Sequence, residues 1–295
     1  MTAPIRWGIL STGVIAHAFA SALQFLGDDE AQIVAVGSRS QQKADDFGAQ
    51  YDIPNRHGSY EALANDPDVD VIYIGTPHIF HHENMLLCLN AGKHVLCEKA
   101  FTINAAEAQE AIDLARSKNL FLMEAMWTRF IPAVVRLREL VQAGDIGDVQ
   151  HIRASFHVNL GYDPTSRIFD PALGGGGLLD LGIYPLAFAH MLLGTPDSVE
   201  SHVKLAPTGV DELASVLWRY DNGAQALLSC GTRSYAPVDA TIVGSAGSVY
   251  VYGPFHHPQR LDVYQGAGHT PEPSVMDMPY EHNAYQYEAL EVHRC

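Results

Sequence analysis

The sequence predicts an α/β fold in two domains. A parallel sheet with flanking helices is expected over residues 1–124, and an α/β domain with an open, mostly antiparallel sheet over residues 125–295. Three observations predict it. Short apolar runs alternate with helical segments as far as Glu124, the order that builds a parallel sheet with right-handed crossovers. Beyond that point strand-like segments follow one another through short turns, which favours antiparallel pairing. The length of 295 residues also suits two ordinary domains better than one core.

Composition narrows the classes. Apolar residues at 47% with 18% charged mark a globular chain, and no apolar run approaches the roughly 20 residues of a membrane span. The N-terminal stretch Met-Thr-Ala-Pro-Ile-Arg-Trp-Gly lacks the apolar core and small-residue cleavage site of a secretory signal. Four cysteines, Cys88, Cys97, Cys230 and Cys295, form no Cys-x-x-Cys pair. They are too sparse for a disulfide framework, so a reducing cytoplasm is the expected location. With 18 Lys and Arg against 34 acids the net charge is −16, which leaves no basic face for a nucleic acid or an acidic membrane.

Ile5–Leu10 reads as a strand entering Ser11-Thr12-Gly13-Val14-Ile15-Ala16, and residues 17–26 form a helical run. Strand, tight turn and helix present N–H groups on which a pyrophosphate rests, and only a small residue lets backbone and phosphate approach. Against G-x-G-x-x-G, Ser11 replaces the first glycine, Gly13 fills the second and Ala16 the third. By itself an ordinary strand-to-helix turn explains the segment equally well. The next strand, 33–37, is followed by Ser38-Arg39-Ser40, about 25 residues after Gly13, where a Rossmann dinucleotide-binding domain reads the adenosine ribose. A carboxylate there would accept from the 2'-hydroxyl of NAD and repel the 2'-phosphate of NADP. None is present. Arg39, Ser38, Ser40 and Lys43, one helical turn on, make a phosphate socket, which favours NADP over NAD, although an exposed arginine after a strand is common.

Residues 69–75 are almost wholly apolar, as in a strand buried on both faces, and end in Thr76-Pro77-His78. A helix over 81–91 stops at Gly92. His78, His81 and His82 have permissive metal spacing, but no carboxylate or cysteine cluster completes a site, so no metal is expected. They edge the nicotinamide ribose or cap the helix. The apolar run His-Val-Leu-Cys then delivers Glu98 and Lys99. A lysine where a buried strand emerges can titrate or donate a proton if the site strips its water, and Lys99 is expected at the seam between the domains. Asn104, with Glu107 three residues on, caps a helix over 104–118, and 120–123 is a further strand.

Pro132 and Gly144 frame the next helix. Strands are expected over 150–160, 199–206, 213–220, 224–232, 240–243, 248–252 and 260–264, with Asn222-Gly223 a strong hairpin signal. Between the first two lie Gly174 to Gly177 and Leu-Leu-Asp-Leu-Gly-Ile-Tyr. Four glycines let backbone pass close to a ligand, or form a flexible loop. Asp180 and Tyr184 stand at i and i+4, on one face of the following helix. A carboxylate one turn from a phenol can act as an acid/base pair, while a surface Asp and a packed Tyr explain the same spacing. Pro185 removes a bond to the Leu181 carbonyl and kinks that helix. A last helix begins at Tyr285.

Three separated motifs carry a resemblance. They are Lys-His-Val-Leu-Cys-Glu-Lys followed by Phe-Thr-Ile-Asn, then Met-Glu-Ala-Met-Trp-Thr-Arg-Phe-Ile-Pro, then the glycine run with Leu-Leu-Asp-Leu-Gly-Ile-Tyr. Over nearly its whole length the chain resembles the glucose-fructose oxidoreductase/inositol dehydrogenase (Gfo/Idh/MocA) family, nearest the branch of trans-1,2-dihydrobenzene-1,2-diol and D-xylose dehydrogenases. The resemblance implies a Rossmann domain paired with an α/β domain whose open sheet mediates dimerisation, hence a homodimer or higher homo-oligomer. It makes Lys99 the lysine of the Glu-Lys-Pro motif that contacts cofactor ribose and substrate hydroxyl. Asp180 and Tyr184 match the Asp-x-x-x-His/Tyr pair, with Tyr184 as proton donor and acceptor. Trp127, Arg129, Phe156 and Arg167 then wall the substrate, and Thr76, Pro77, His78, His81 and Glu98 hold the nicotinamide end, while Ser11 to Ile15 (with Thr12, Gly13 and Val14) line the phosphates. The chain departs from the family at Ala100, which replaces proline, at Ser11, and at Cys295, beyond which relatives continue for some tens of residues.

The activity so implied is NADP-dependent oxidation of a sugar, such as xylose, or a vicinal diol. Tyr184, assisted by Lys99, takes the hydroxyl proton, and the lysine charge favours the phenolate. A neutral polyol suits an acidic protein. Two other readings stay open: a non-catalytic NADP-binding regulator on the same fold, and a different reaction such as tetrapyrrole or imine reduction or an NAD-dependent elimination. A methyltransferase is disfavoured by Ser38-Arg39, where its cofactor's ribose needs an acid.

Overall fold

A computed structural model describes residues 4–266 and 271–295. Residues 1–3, part of the stretch compared with a secretory signal, lie outside that range. The chain forms two compact units, Met1–Trp127 with His282–Cys295, and Thr128–Glu281.

In the first unit, β1 (Ile5–Leu10), α1 (Val14–Leu26), β2 (Ala31–Gly37), α2 (Gln41–Gln50), β3 (Asn55–His57), α3 (Tyr60–Ala64), β4 (Val71–Ile74), α4 (His81–Asn90), β5 (His94–Glu98), α5 (Ala105–Ser117) and β6 (Leu122–Ala125) alternate. All strand neighbours are parallel, in the order β3-β2-β1-β4-β5-β6, the Rossmann order. The strands are apolar on both faces because both are covered. Trp7, Ile9, Val36 and Tyr73 pack under Phe19 and Leu23 of α1 and Phe47 of α2. Leu10, Ala35, Ile72 and Ile74 pack under Leu63, Met85, Leu89 and Ala111 on the other side. Capping follows the side chains: Ser40, Ser59 and Asn104 accept from Lys43, Ala62 and Glu107 N–H at the starts of α2, α3 and α5.

The second unit carries α6 (Pro132–Ala143), β7 (Val149–His157), α7 (Ile183–Leu193), β8 (Ser198–Leu205), β9 (Asp211–Arg219), β10 (Gln225–Gly231), β11 (Ala240–Gly244), β12 (Gly247–Val251), β13 (Arg260–Gln265) and β14 (Ser274–Asp277). Its sheet runs β14-β13-β12-β11-β7-β10-β9-β8. Pairing is antiparallel except between β7 and β10, whose long connection through α7, β8 and β9 permits the parallel register. The Asn222-Gly223 turn closes β9 on β10, with Gly223 at φ 89 and Asn222 Oδ1 accepting from Ala224 N–H at 3.0 Å.

Three features differ from expectation. First, α8 (Gln286–Arg294) belongs with the first unit, not with a domain spanning 125–295. Its Ala289 and Val292 join the core around Trp7, and Trp7 Nε1–H donates to His293 Nε2 at 3.1 Å. Second, Leu178–Gly182 is a π-helical turn continuous with α7, so Pro185 stands inside a helix, where it has no N–H to give the Leu181 carbonyl. Third, Pro171–Leu193 has a mean hydropathy of 1.4 over 18 residues and passes for a membrane span on length and composition alone. Within the fold a break at 174–176 divides it into a single turn and the helix that continues as α7, which packs on β7 and β10.

Candidate active site

The first unit provides the nucleotide end. Ser11 adopts φ 109, a conformation natural to the glycine it replaces, and its Oγ accepts from Gly13 N–H at 3.1 Å. Gly13 and Val14 are exposed at the start of α1. A Cβ built on Gly13 would come no closer than 3.4 Å to atoms elsewhere in the chain, so room for a phosphate lies open over the helix N-terminus. Thr12 and Ile15 flank this turn, half-buried.

At the end of β2 a cavity of about 540 Å³ is lined by Arg39, Tyr60, Thr76, Pro77, Phe80, Glu83 and neighbours. The Arg39 guanidinium lies 5.7 Å from the Phe80 ring centre, near enough to the Tyr60 hydroxyl for its charge to act on it. Burial raises the Tyr60 pKa, while Arg39 pulls it back. Ser38 is buried and its Oγ accepts from Ser40 N–H at 3.4 Å, which fixes the turn that presents Arg39. Lys43 is exposed on α2 and is not among the residues lining the cavity. Tyr60 and Phe80 carried no sequence motif, and Glu61 and Glu83 bring carboxylates to the lining that the β2 terminus itself lacks.

The nicotinamide end predicted at Thr76 to His81 is partly corrected. Thr76 Oγ1 accepts from Asn84 Nδ2 at 3.2 Å, and His78 is 5% exposed. His81 is 0% exposed, with Nδ1 2.8 Å from the Ala100 carbonyl and Nε2 2.8 Å from the Thr76 carbonyl. It therefore braces two loops. Burial draws its pKa down. The bond it braces, Lys99–Ala100, is cis even with alanine in place of proline.

Glu98 is held from two sides. Tyr73 hydroxyl donates to Oε1 at 2.7 Å and Lys99 N–H to Oε2 at 3.1 Å. Burial pushes its pKa up to about 6. It is a buried carboxylate that shapes the Lys99 turn. In the same unit Glu288 of α8 is 0% exposed, and neither of its carboxyl oxygens has a hydrogen-bond partner among the described residues. Burial and the charge of Glu98 raise its pKa well above the carboxylate range.

The second unit assembles an aromatic cluster around Tyr184. This residue is the second of α7 and is buried. Its ring lies 5.5 Å from Phe156 of β7 and 4.9 Å from His256, and His256 stacks on Phe156 at 4.5 Å and 20°. His256 was invisible to spacing arguments because it reaches the cluster from the segment between β12 and β13. Asp180 takes the Arg167 guanidinium at 3.1 Å, so the carboxylate is anchored by a residue expected on the substrate wall. Arg129 lies half-buried on the single turn Trp127–Phe130. Trp127 belongs with the first unit, stacked on Tyr285 at 4.5 Å and 16°. Among the described residues no group of three or more His, Cys, Asp or Glu is placed to hold a metal ion.

The sheet order, the open turn and the cavity beside Arg39 are those of a dinucleotide-binding domain. Residues 5–126 match the oxidoreductase family with an NAD-binding Rossmann fold, and residues 134–250 match the GFO/IDH/MocA C-terminal domain. The chain belongs to the GFO/IDH/MocA oxidoreductase family and is a dehydrogenase acting on CH–OH groups. It is 40% identical over 296 residues to the trans-1,2-dihydrobenzene-1,2-diol dehydrogenase of Bos taurus, covering 99% of this chain and 88% of the relative. To that of Homo sapiens it is 41% identical over 295 residues, with 99% and 88% covered. A 3-ketoreductase from Actinomadura kijaniata in complex with NADP superposes with a TM-score of 0.84 at 25% identity, over 98% of this chain and 88% of that one. An NAD-binding oxidoreductase from Klebsiella pneumoniae gives 0.88 at 23%, over 99% and 88%, and shares the fold.

Proposed function

We propose that this chain is an NADP-dependent dehydrogenase of a vicinal diol, with aldoses as the second substrate class. The observation that carries the substrate is the 40% identity to dihydrodiol dehydrogenases across the full chain. The cofactor choice is supported by the guanidinium of Arg39 in its cavity with Tyr60, a planar fork suited to a 2'-phosphate. The open turn at Gly13 fits a pyrophosphate. When bound, the nicotinamide supplies the hydride acceptor. Tyr184 takes the hydroxyl proton, and Lys99 contacts the hydroxyl and cofactor ribose. Phe156 and His256 give the phenol an apolar surround suited to a dihydrodiol ring. Glu61 and Glu83 favour a second reading, because carboxylates at the same cavity can accept from the ribose hydroxyls of NAD. The cytoplasm is the proposed location, in keeping with four unpaired thiols, three of them buried. A homodimer through the open sheet face is the proposed assembly.

The deciding experiment follows reduction of NADP and of NAD by absorbance across trans-dihydrodiols, aldoses and inositols. Turnover of a trans-dihydrodiol with NADP preferred is the expected result. Preference for NAD would move the cofactor to the second reading, and no turnover with any substrate while NADPH still binds would make the chain a regulator. Lys99→Met and Tyr184→Phe are each expected to lower kcat by at least about a hundredfold, the scale of general acid–base catalysis, with NADPH fluorescence still reporting binding.

A further inference from the structure

Three of the four glycines before the π-turn, Gly175, Gly176 and Gly177, are closely packed. A Cβ on Gly175 would meet the carbonyl oxygens of Arg167, Ile168 and Asp170 at 2.8 Å each. Gly175 N–H donates to the Asp170 carbonyl and Gly176 N–H to that of Ile168, both at 2.9 Å. On the opposite side stands Asp211, the first residue of β9. Its Oδ2 accepts from Leu178 N–H at 2.6 Å, and a Cβ on Gly177 would stand 3.2 Å from the same oxygen. Gly176 holds φ 124, and a Cβ there would collide with Asp211 Oδ1.

Helix N-termini leave N–H groups unsatisfied, and these are ordinarily capped by a neighbouring side chain of the same segment. Here the cap comes from a strand 33 positions later in the sequence. The N–H it holds belongs to the residue that opens the π-turn Leu178–Gly182. That turn carries Asp180 and runs directly into α7, whose second residue is Tyr184. A π-turn inserts one residue relative to an α-turn and so resets the direction in which the following side chains point. The loop that grips the glycines from the other side starts at Arg167, the partner of Asp180.

We propose that Asp211 is a positioning residue for the reaction: by accepting the N–H of Leu178 and packing against Gly176 and Gly177 it sets the π-turn that orients Asp180 and Tyr184. This rests on Tyr184 being the acid/base group. The carboxylate touches neither substrate nor cofactor in this role. It acts through the backbone it holds, and its charge opposes the positive end of the helix dipole.

The test measures kcat, KM for NADP and NADPH affinity by fluorescence in Asp211→Ala, Asp211→Asn and Tyr184→Phe, with trans-1,2-dihydrobenzene-1,2-diol as substrate. Asp211→Ala is expected to lower kcat at least tenfold, with KM for NADP and NADPH affinity within twofold of the parent. Asp211→Asn keeps one acceptor oxygen for Leu178 and is expected to recover most of the lost kcat. Unchanged kcat in Asp211→Ala overturns the proposal, as does a parallel loss of kcat and NADPH affinity, which would mark a merely structural residue. Should Asp211→Ala not fold, Asp211→Glu keeps a carboxylate but displaces it by one methylene from Leu178 N–H and is expected to show the same split. Full turnover in Tyr184→Phe, or none in the parent chain, sinks the acid/base reading itself and the proposal with it, and is told apart because Asp211 variants play no part in that result.

Discussion

The proposed preference for NADP rests on Arg39. Its guanidinium is exposed to incoming ligand, steadied by Phe80 and Tyr60, and a hydrogen bond to a charged group contributes about 1.5–3 kcal/mol. Arg39→Ala is therefore expected to raise KM for NADP roughly 10- to 150-fold while KM for NAD moves little. Steady-state kinetics with both cofactors checks this, and equal effects on the two would take the 2'-phosphate away from Arg39. The identity of Arg39, Gly13, Lys99 and Tyr184 as candidates was legible in the sequence because each stands at a fixed offset from a strand end or a motif. Tyr60, Glu83, His256 and Asp211 were not. They reach their places through tertiary packing of segments with no motif of their own, as when Asp211 caps a turn that opens 33 positions earlier.

At the scale of elements, the seven strands expected after Pro132 all formed, since alternation of inward and outward residues is a local signal. Missed were β3 and β14, three and four residues long, too short to show a period. The π-turn was also hidden, because i and i+4 spacing looks the same before the backbone is known. The return of α8 to the first unit depends on Ala289 and Val292 finding the core around Trp7, a long-range pairing that no window of sequence reports. That return has a cost. Glu288 arrives buried with unsatisfied oxygens, a burden of about 1–3 kcal/mol. Glu98 and Glu288 both have folded pKa values raised above 4.5, Glu98 to about 6. Between these values the native state holds protons that the unfolded chain has lost, so stability falls as pH rises through this window and is greatest, for these groups, below it. Glu288→Leu is expected to stabilise the chain by about 1–3 kcal/mol near pH 5 and by more near pH 8. Urea unfolding at the two pH values measures the difference. A midpoint unmoved at both would mean that Glu288 bears no such penalty.

At the scale of the whole molecule, assembly is argued from the face of the second sheet that α7 leaves uncovered. Ala226, Leu228 and Cys230 of β10 point toward α7 and are buried, whereas Leu227 between them is 47% exposed. With Arg153, Ser155, His157, Ser215 and Ser229 it lines a cavity of about 590 Å³, larger than the one beside Arg39. This face is ordered by its own contacts: His157 lies 2.6 Å from Ser234 Oγ and 3.0 Å from Ser229 Oγ, Arg153 pairs with Asp239 at 3.0 Å, and Tyr250 hydroxyl donates to Asp239 at 2.7 Å. A broad sheet surface with an exposed leucine among small hydroxylated side chains suits a self-complementary partner, as a two-fold dimer requires, better than a small ligand needing convergent charge. Light scattering is expected to give twice the mass of one chain. Leu227→Asp sets two carboxylates against each other across a two-fold contact and is expected to shift the mass to that of the monomer, with NADPH affinity unchanged because Arg39 and Gly13 belong to the other unit. A parent chain that is already monomeric would remove the dimer, and a variant that stays dimeric would move the contact to another surface.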